Sequence, residues 1–552
     1  MRDSICRRRP ESEQKAGTST LTPPETRPAV IQTRRSVLSS LASSAAAATL
    51  AHRLAFAQAP ASSAQDAPLT DPLRPRFHYL PDRNWMNDPC APVFWRGRYH
   101  MFHQYNPHAA VWGDMHWAHA VSPDMVHWQR LPVAIAPTPG GPDSEGVFTG
   151  SSILHNGSPA ILYTGVQTVP HAQATLSDGT HNFRETQLLA IAADPGLNTW
   201  TKHAQPVIPS PPPGLEVTGF RDPTPFHHAG RQYLVVGSGQ RGVGGMALLY
   251  RAPYLGRGVN DLTRWEYLHP LAQGTAFSPS RTSGAPRPDT PNPTKSTPID
   301  TPKDPVDTGE MWECPDFFAL GNRHVLIFST RRKTFWQVGD LDPKTLRFHP
   351  TVSGQLDLGR SFYAPKTQLD AHGNRILWGW LAETRPEADF AAAGWSGMLS
   401  LPRILTLRDG QLRMEPLPAL RQLRAPAPNG SAIHEFTVTL RQPGATRTAT
   451  PFRLSDNAGL LLAIDFNAPD GLLLLDGGDA AALEVPIKLP DAAPLHLFFD
   501  NSVLELFLGN DLVFTERHYG RHPTNPVLRL ALPPGWTLDQ PLPYALQSIW
   551  NA

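Results

Sequence analysis

Three cysteines in 552 residues, Cys6, Cys90 and Cys314, exclude a disulfide-built scaffold. Charge of one sign is missing as well. The formal net charge is +1, and no basic stripe stands out beyond the N-terminus, which argues against nucleic acid as a partner. No run approaches the roughly 18 to 20 apolar residues that a membrane span needs. Between residues 76 and 415 no convincing amphipathic helix is present. What the chain has in quantity is turn chemistry, with 59 prolines and 42 glycines, which favours many short strands over long helices. Its length exceeds what one compact core supports, so at least two domains are expected.

The first 59 residues read as an address. Arg34 and Arg35 precede an Ala-rich, weakly apolar stretch that ends in AFA and AQA, the small-x-small pattern of a cleavage site. Twin arginines point to an export signal of the twin-arginine type, with cleavage after Ala57 or Ala59. The expected location is the periplasm or the outside of the cell.

From Pro75 onward, strand-length runs such as RYHMFHQY, PAILYTG, QYLVVGS, HVLIFST and RILWGWL end repeatedly in Gly, Pro, Asn or Asp. An all-β domain over 76–415 follows. Radial repetition of small sheets, a propeller, is the natural solution because it protects strand edges. Residues 274–308 are rich in Pro, Ser and Thr and read as an insertion that builds no core. Prolines at 416, 418, 426 and 428 mark a linker over 416–431. Beyond it, plain aliphatic strands over 432–552 predict a second all-β domain, a β-sandwich. Gly509-Asn510-Asp511 between VLELFL and LVFTE signals a hairpin there.

Three acids stand out by their neighbours. Asp88 lies in WMNDPC, Asp222 in GFRDPTPF and Glu313 in MWECPDFF. N-D-P reads first as a turn, since Asn and Asp bond their own backbone and proline presets φ. R-D-P reads first as a turn with a surface ion pair. The joint pattern reads differently: each acid ends an apolar-aromatic run beside a rigidifying proline. A propeller brings such strand ends to one axial funnel, where three acids can serve one substrate.

These motifs, with FHQYNPHAAVWGDMHWAHAVSPDMVHW, EGVFTGSS, SFYAPKT, ILWGWL and GWSGMLSLPR, resemble glycoside hydrolase family 32, the invertases and fructan hydrolases. The resemblance covers about residues 76 to 550, with the motifs in the family's order. It implies a five-bladed β-propeller followed by a β-sandwich, and cleavage of terminal β-fructosyl units from sucrose or a fructo-oligosaccharide. It implies Asp88 as nucleophile, Asp222 as the acid that stabilises the transition state, and Glu313 as general acid/base, the first and last about 5 to 5.5 Å apart as in retaining glycosidases. Arg221 is expected to keep neighbouring acids charged, and like charge from Asp88 to raise the pKa of Glu313. Asn87, Gln104, Trp112, Phe148, Thr149 and Tyr363 fall in motifs that line the sugar site, with Trp85 and Trp380 beside them. Trp112 and Phe148 read equally well as core.

The chain departs from the family's common wording in places. Cys90-Ala91 replace the Asn-Gly that often follows N-D-P, Thr149 stands where serine is frequent, and Lys366 where glutamine is. None of these removes a catalytic acid. Cys90 and Cys314 both flank catalytic acids and are expected as packed free thiols, a disulfide being the alternative. His100, His103, His108, His116 and His119 crowd twenty residues without forming a ligand set, and no metal or other cofactor is expected. A non-catalytic carbohydrate-binding propeller and an arabinan- or xylan-cleaving propeller are the rival readings. Oligomeric state is not readable from the chain.

Overall fold

A computed structural model describes residues 71–177, 182–275, 304–425 and 434–441, and then segments 452–456, 459–464, 472–475, 483–486, 492–509, 512–519, 529–531 and 537–550. Residues 1–59, read above as an expected export signal, residues 276–303 of the Pro-rich segment, and Asn510-Asp511 lie outside the described residues. Residues 68–552 form one compact unit. It is all-β. Among the described residues the one α-helix is the short Glu387–Ala393 segment, and no helix is long and apolar enough to cross a membrane.

Five largely antiparallel sheets of four or five strands follow one another along the chain up to Pro416, with a small two-stranded ribbon of Tyr254–Gly256 and Val259–Asn260 among them. Each begins with a lead strand and meanders through its neighbours. The lead strands are Asn84–Trp95, Gly146–His155, Val217–His228, Glu313–Leu320 and Phe362–Leu369. Each contacts the next, and the last contacts the first, so the five form a closed ring. A crossing segment stitches the ends. Trp395–Ser396 pairs in parallel with Asn84–Trp85, and Met398–Leu399 pairs with Trp380–Leu381 of the fifth sheet. Gly397 between them has φ 79°, and a Cβ there would lie 2.1 Å from the Met86 carbonyl oxygen, so only glycine fits.

Every lead strand carries the same irregularity. Three steps along it match two on its partner, between Met86 and Pro89, Val147 and Gly150, Arg221 and Thr224, Glu313 and Asp316, and Tyr363 and Lys366. These are one-residue bulges, which kink a strand and re-aim its side chains. The prolines now have a reason. Pro223, Pro315 and Pro365 sit inside bulges, where no ladder donor is lost. Just before them Asp222, Cys314 and Ala364 adopt φ values of 66°, 48° and 48°, a conformation costing about 1–3 kcal/mol each. N-D-P is accordingly not a turn: Asn87 and Asp88 occupy a bulge inside a twelve-residue strand. Sequence cannot separate the two, because both use the same residues to leave regular geometry.

The C-terminal part contains a six-stranded sheet that includes Glu435–Arg441, Ala492–Asp500, Val503–Leu508, Leu512–Arg517 and Thr537–Leu546. Leu508 pairs with Leu512, which is the hairpin the Gly509 signal predicts. Within 416–431 the described residues are packed: Pro418–Leu423 is a 3-10 helix burying Leu420 and Leu423, and Ala425 pairs with Ala545. A buried ion network joins the C-terminal strands to the rest. Arg403, fully buried, donates to Asp357, Glu505 and Thr515, each at 2.8 Å. His78 sits between Asp500 and Glu505 at 2.8 and 3.1 Å. Burial opposes its charge, but the two carboxylates outweigh burial and raise its pKa.

Candidate active site

The bulges of the ring bring the predicted residues together. Asp88 accepts from Thr149 Oγ1 at 2.6 Å and from Cys314 Sγ at 3.2 Å, both at Oδ2, and from Asn87 Nδ2 at 3.0 Å at Oδ1. Gln104 Nε2 donates to Thr149 Oγ1 at 2.5 Å, and Trp85 Nε1 to Asn87 Oδ1 at 2.8 Å. A relay of neutral donors, each held from behind, therefore orients one carboxylate. Asp222 Oδ2 accepts from the Cys314 backbone N–H at 2.8 Å and stands 3.5 Å from its thiol. Asp222's own N–H donates to Thr164 Oγ1 at 2.9 Å, and Thr164 donates onward to Gln187.

Glu313 is gripped at both oxygens. Arg221 donates to Oε1 through Nη2 at 2.8 Å and Nε at 3.3 Å, and Tyr363 OH donates to Oε2 at 2.6 Å. Arg221 is itself held by Glu185 at 3.1 Å, whose other oxygen accepts from the Phe220 N–H at 2.6 Å.

Burial pushes the Asp88 carboxyl up, against the pull of Thr149 and Asn87, while Glu313 adds to the rise. It pushes Asp222 up to about 7, with Arg221 opposing and the charges of Asp88 and Glu313 assisting. Both aspartates are thus raised, a rise that the sequence did not foresee. Pattern reading weighed their charges but not their loss of water, the larger cause at both. Arg221 does favour charge on Asp222, as expected.

Aromatic residues line one side. Trp85 lies 5.9 Å from Trp380 and 6.0 Å from Phe390, and Trp112 meets Phe148 edge-on at 6.1 Å. At 59% exposure Trp112 is a rim residue and not core; Phe148 is half-buried. Cys90 and Cys314 are buried free thiols. Burial raises the Cys314 thiol well above its usual range, so it stays protonated and can donate to Asp88. Of the clustered histidines, His100 and His119 bond each other at 3.0 Å and His103 contacts Tyr79. Burial lowers all three toward the neutral form.

Sequence reasoning missed Glu185 and Phe390. Glu185 sits in the plain strand Asn182–Ala192, and its partner is 36 residues away, so no local pattern marks it. Phe390 belongs to the short helix that leads into the crossing segment.

Three carboxyl groups held by hydrogen bonds, with aromatic residues beside them, offer the kind of acid, base and nucleophile chemistry that cleavage of a glycosidic bond uses. Comparison with known proteins agrees. Residues 78–278 and 294–416 match the N-terminal domain of the glycosyl hydrolases family 32. A sucrose-6-phosphate hydrolase of Escherichia coli is 30% identical over 485 residues, 81% of this chain and 89% of that protein. A fructan 1-exohydrolase IIa variant of Cichorium intybus, in complex with 1-kestose, superposes with TM-score 0.70 at 25% identity over 87% of this chain and 98% of that one. A Bombyx mori family 32 β-fructofuranosidase variant in complex with sucrose gives 0.67 at 25% over 88% and 96%. The chain belongs to glycoside hydrolase family 32. It is a glycoside hydrolase of the fructosyl-cleaving kind, which sets aside the non-catalytic reading.

Proposed function

We propose that this protein is an exported, retaining β-fructofuranosidase whose first substrate is sucrose, and that its five sheets are the blades of a propeller followed by a β-sandwich at 432–552. The observation that carries this reading is the convergence of Asp88, Asp222 and Glu313 from three lead strands, with Cys314 touching both aspartates and Arg221 joining the third strand to Glu313.

The chemistry follows from what each carboxyl can do. A Asp88 oxygen attacks the anomeric carbon of a terminal β-fructosyl unit, and the bond to the leaving oxygen breaks as Glu313 delivers a proton to it. Water then attacks the fructosyl-Asp88 ester, Glu313 takes the water's proton, and Asp88 leaves as carboxylate. Arg221 and Tyr363 hold Glu313 in place through both steps. Asp222 binds ring hydroxyls and tightens as positive charge develops on the sugar. Exo-attack on inulin or levan is the alternative substrate choice, and transfer of the fructosyl group to a sugar the alternative fate.

Purified mature protein in concentrated sucrose provides the test, with sucrose 6-phosphate, inulin and levan alongside. Equal free glucose and fructose support hydrolysis of sucrose; a shortage of fructose makes the protein a transferase. With methanol as acceptor, retention requires methyl β-D-fructofuranoside as the first product, and the α anomer would refute it.

A further inference from the structure

Behind the three acids lies a charged group that the reading above does not use. Lys366 is 1% exposed. Its Nζ donates to Thr224 Oγ1 at 2.6 Å and to the Pro315 carbonyl at 3.3 Å. The Thr224 hydroxyl donates to the same carbonyl at 2.6 Å and meets Ser151 Oγ at 3.1 Å. Thr224 follows Asp222 by two residues, Pro315 follows Glu313 by two, Ser151 follows Thr149 by two, and Lys366 follows Tyr363 by three. The amine and the Thr224 hydroxyl together tie four of the five lead strands directly behind the bulges that aim the site.

A neutral amide could donate the same two bonds. Lysine adds charge, and an ammonium with only neutral acceptors is costly to bury. Both of its hydrogen-bond partners named above are neutral. Its field reaches Asp222, Asp316, Cys90 and Cys314, in each case favouring loss of a proton. The other charges in this layer are Asp88 and Glu313, Arg221 between Glu185 and Glu313, and Arg375 on the Asp316 side.

We propose that Lys366 is a positioning residue that acts as the buried counter-charge of Asp222 and so sets the acid limit of activity, an inference that rests on the reading of the site as a fructosidase. The experiment measures kcat/KM for sucrose, or for the β-fructoside the wild type prefers, between about pH 4 and 9. Wild type is compared with Lys366→Gln, Lys366→Met and Thr224→Val. Removing the charge moves the acid limb upward by about one unit, a tenfold loss below the limb with less than about a twofold loss at the optimum. Thr224→Val breaks the tie but keeps the charge; it lowers the curve and leaves the limb in place. A limb unmoved in both Lys366 variants overturns the proposal, whatever happens at the optimum. Should the glutamine variant fail to fold, the apolar methionine variant decides. If the wild type cleaves no β-fructoside, the functional reading has failed, and Tm against pH decides instead. A deficit in the Lys366 variants that grows as the acids ionise supports the counter-charge, and parallel curves reject it.

Discussion

Thr149 offers the sharpest perturbation, because one oxygen serves two buried partners. It is fully buried, donates to Asp88 Oδ2 at 2.6 Å and accepts from Gln104 Nε2 at 2.5 Å. Thr149→Val keeps the volume and deletes that oxygen. A hydrogen bond to a charged acceptor contributes about 1.5–3 kcal/mol, and one pKa unit is 1.36 kcal/mol, so the Asp88 pKa should climb by about one to two units. Burial already raises that carboxyl, and the Thr149 bond is the first influence opposing it. The nucleophile must be ionised, so the loss falls on the acid side. We expect kcat/KM to drop about 10- to 100-fold below the acid limb and to recover toward wild type above it. The orphaned Gln104 amide should lower stability by about 1–3 kcal/mol. Thr149→Ser retains the hydroxyl and should stay within about threefold at every pH. Initial rates of fructose release at low substrate, across about pH 4 to 9, provide the assay. If the valine variant loses activity equally at all pH values, or matches the serine variant, the hydroxyl does not hold the charge on Asp88.

Other expectations follow from the same geometry. Asp88→Asn should cut kcat by about 10⁴-fold or more while sugar binding by calorimetry persists; ordinary turnover would remove Asp88 from the mechanism. Tyr363→Phe deletes the donor at 2.6 Å from Glu313 and should lower kcat about 10- to 100-fold with KM within about threefold, whereas a change confined to KM would make Tyr363 a binding residue only. Asp222 is raised to about 7, so the folded state holds its proton more tightly than the unfolded chain. That penalty is absent below about pH 4, grows as pH rises and is complete above about pH 7. Asp222→Asn should therefore gain Tm relative to wild type between about pH 5 and 8, and parallel curves would contradict the shift. Arg403→Met strands Asp357 and Glu505 in the interior and should destabilise by about 3–5 kcal/mol in urea; a change below 1 kcal/mol would mean that the network is not holding the C-terminal strands.

Much of this protein was legible from residues alone. Apolar runs closed by turn residues are local, and they marked the second strand of each of the five sheets, Arg98–Asn106, Ser158–Thr168, Arg231–Gln240, Arg323–Thr330 and Arg375–Leu381, while Gly509 marked the Leu508–Leu512 hairpin. The three acids were marked by their aromatic and proline neighbours, and Arg221 and Tyr363 fell in motifs. Register is not local, and there the reading stopped. Nothing within a strand tells that its proline marks a bulge shared by five sheets, or that N-D-P leaves β geometry without turning the chain. The thiol that meets Asp88 is 226 residues away, and the amine behind Asp222 bonds across 142. Such contacts appear only once the sheets pack against one another, so the partners of Glu185 and the role of Lys366 stay hidden in the chain order. The sequence determined which groups were available and which stretches became strands. Tertiary structure decided which groups lose water, which charges face each other and which way each side chain is aimed, because burial and field depend on neighbours that chain order does not reveal.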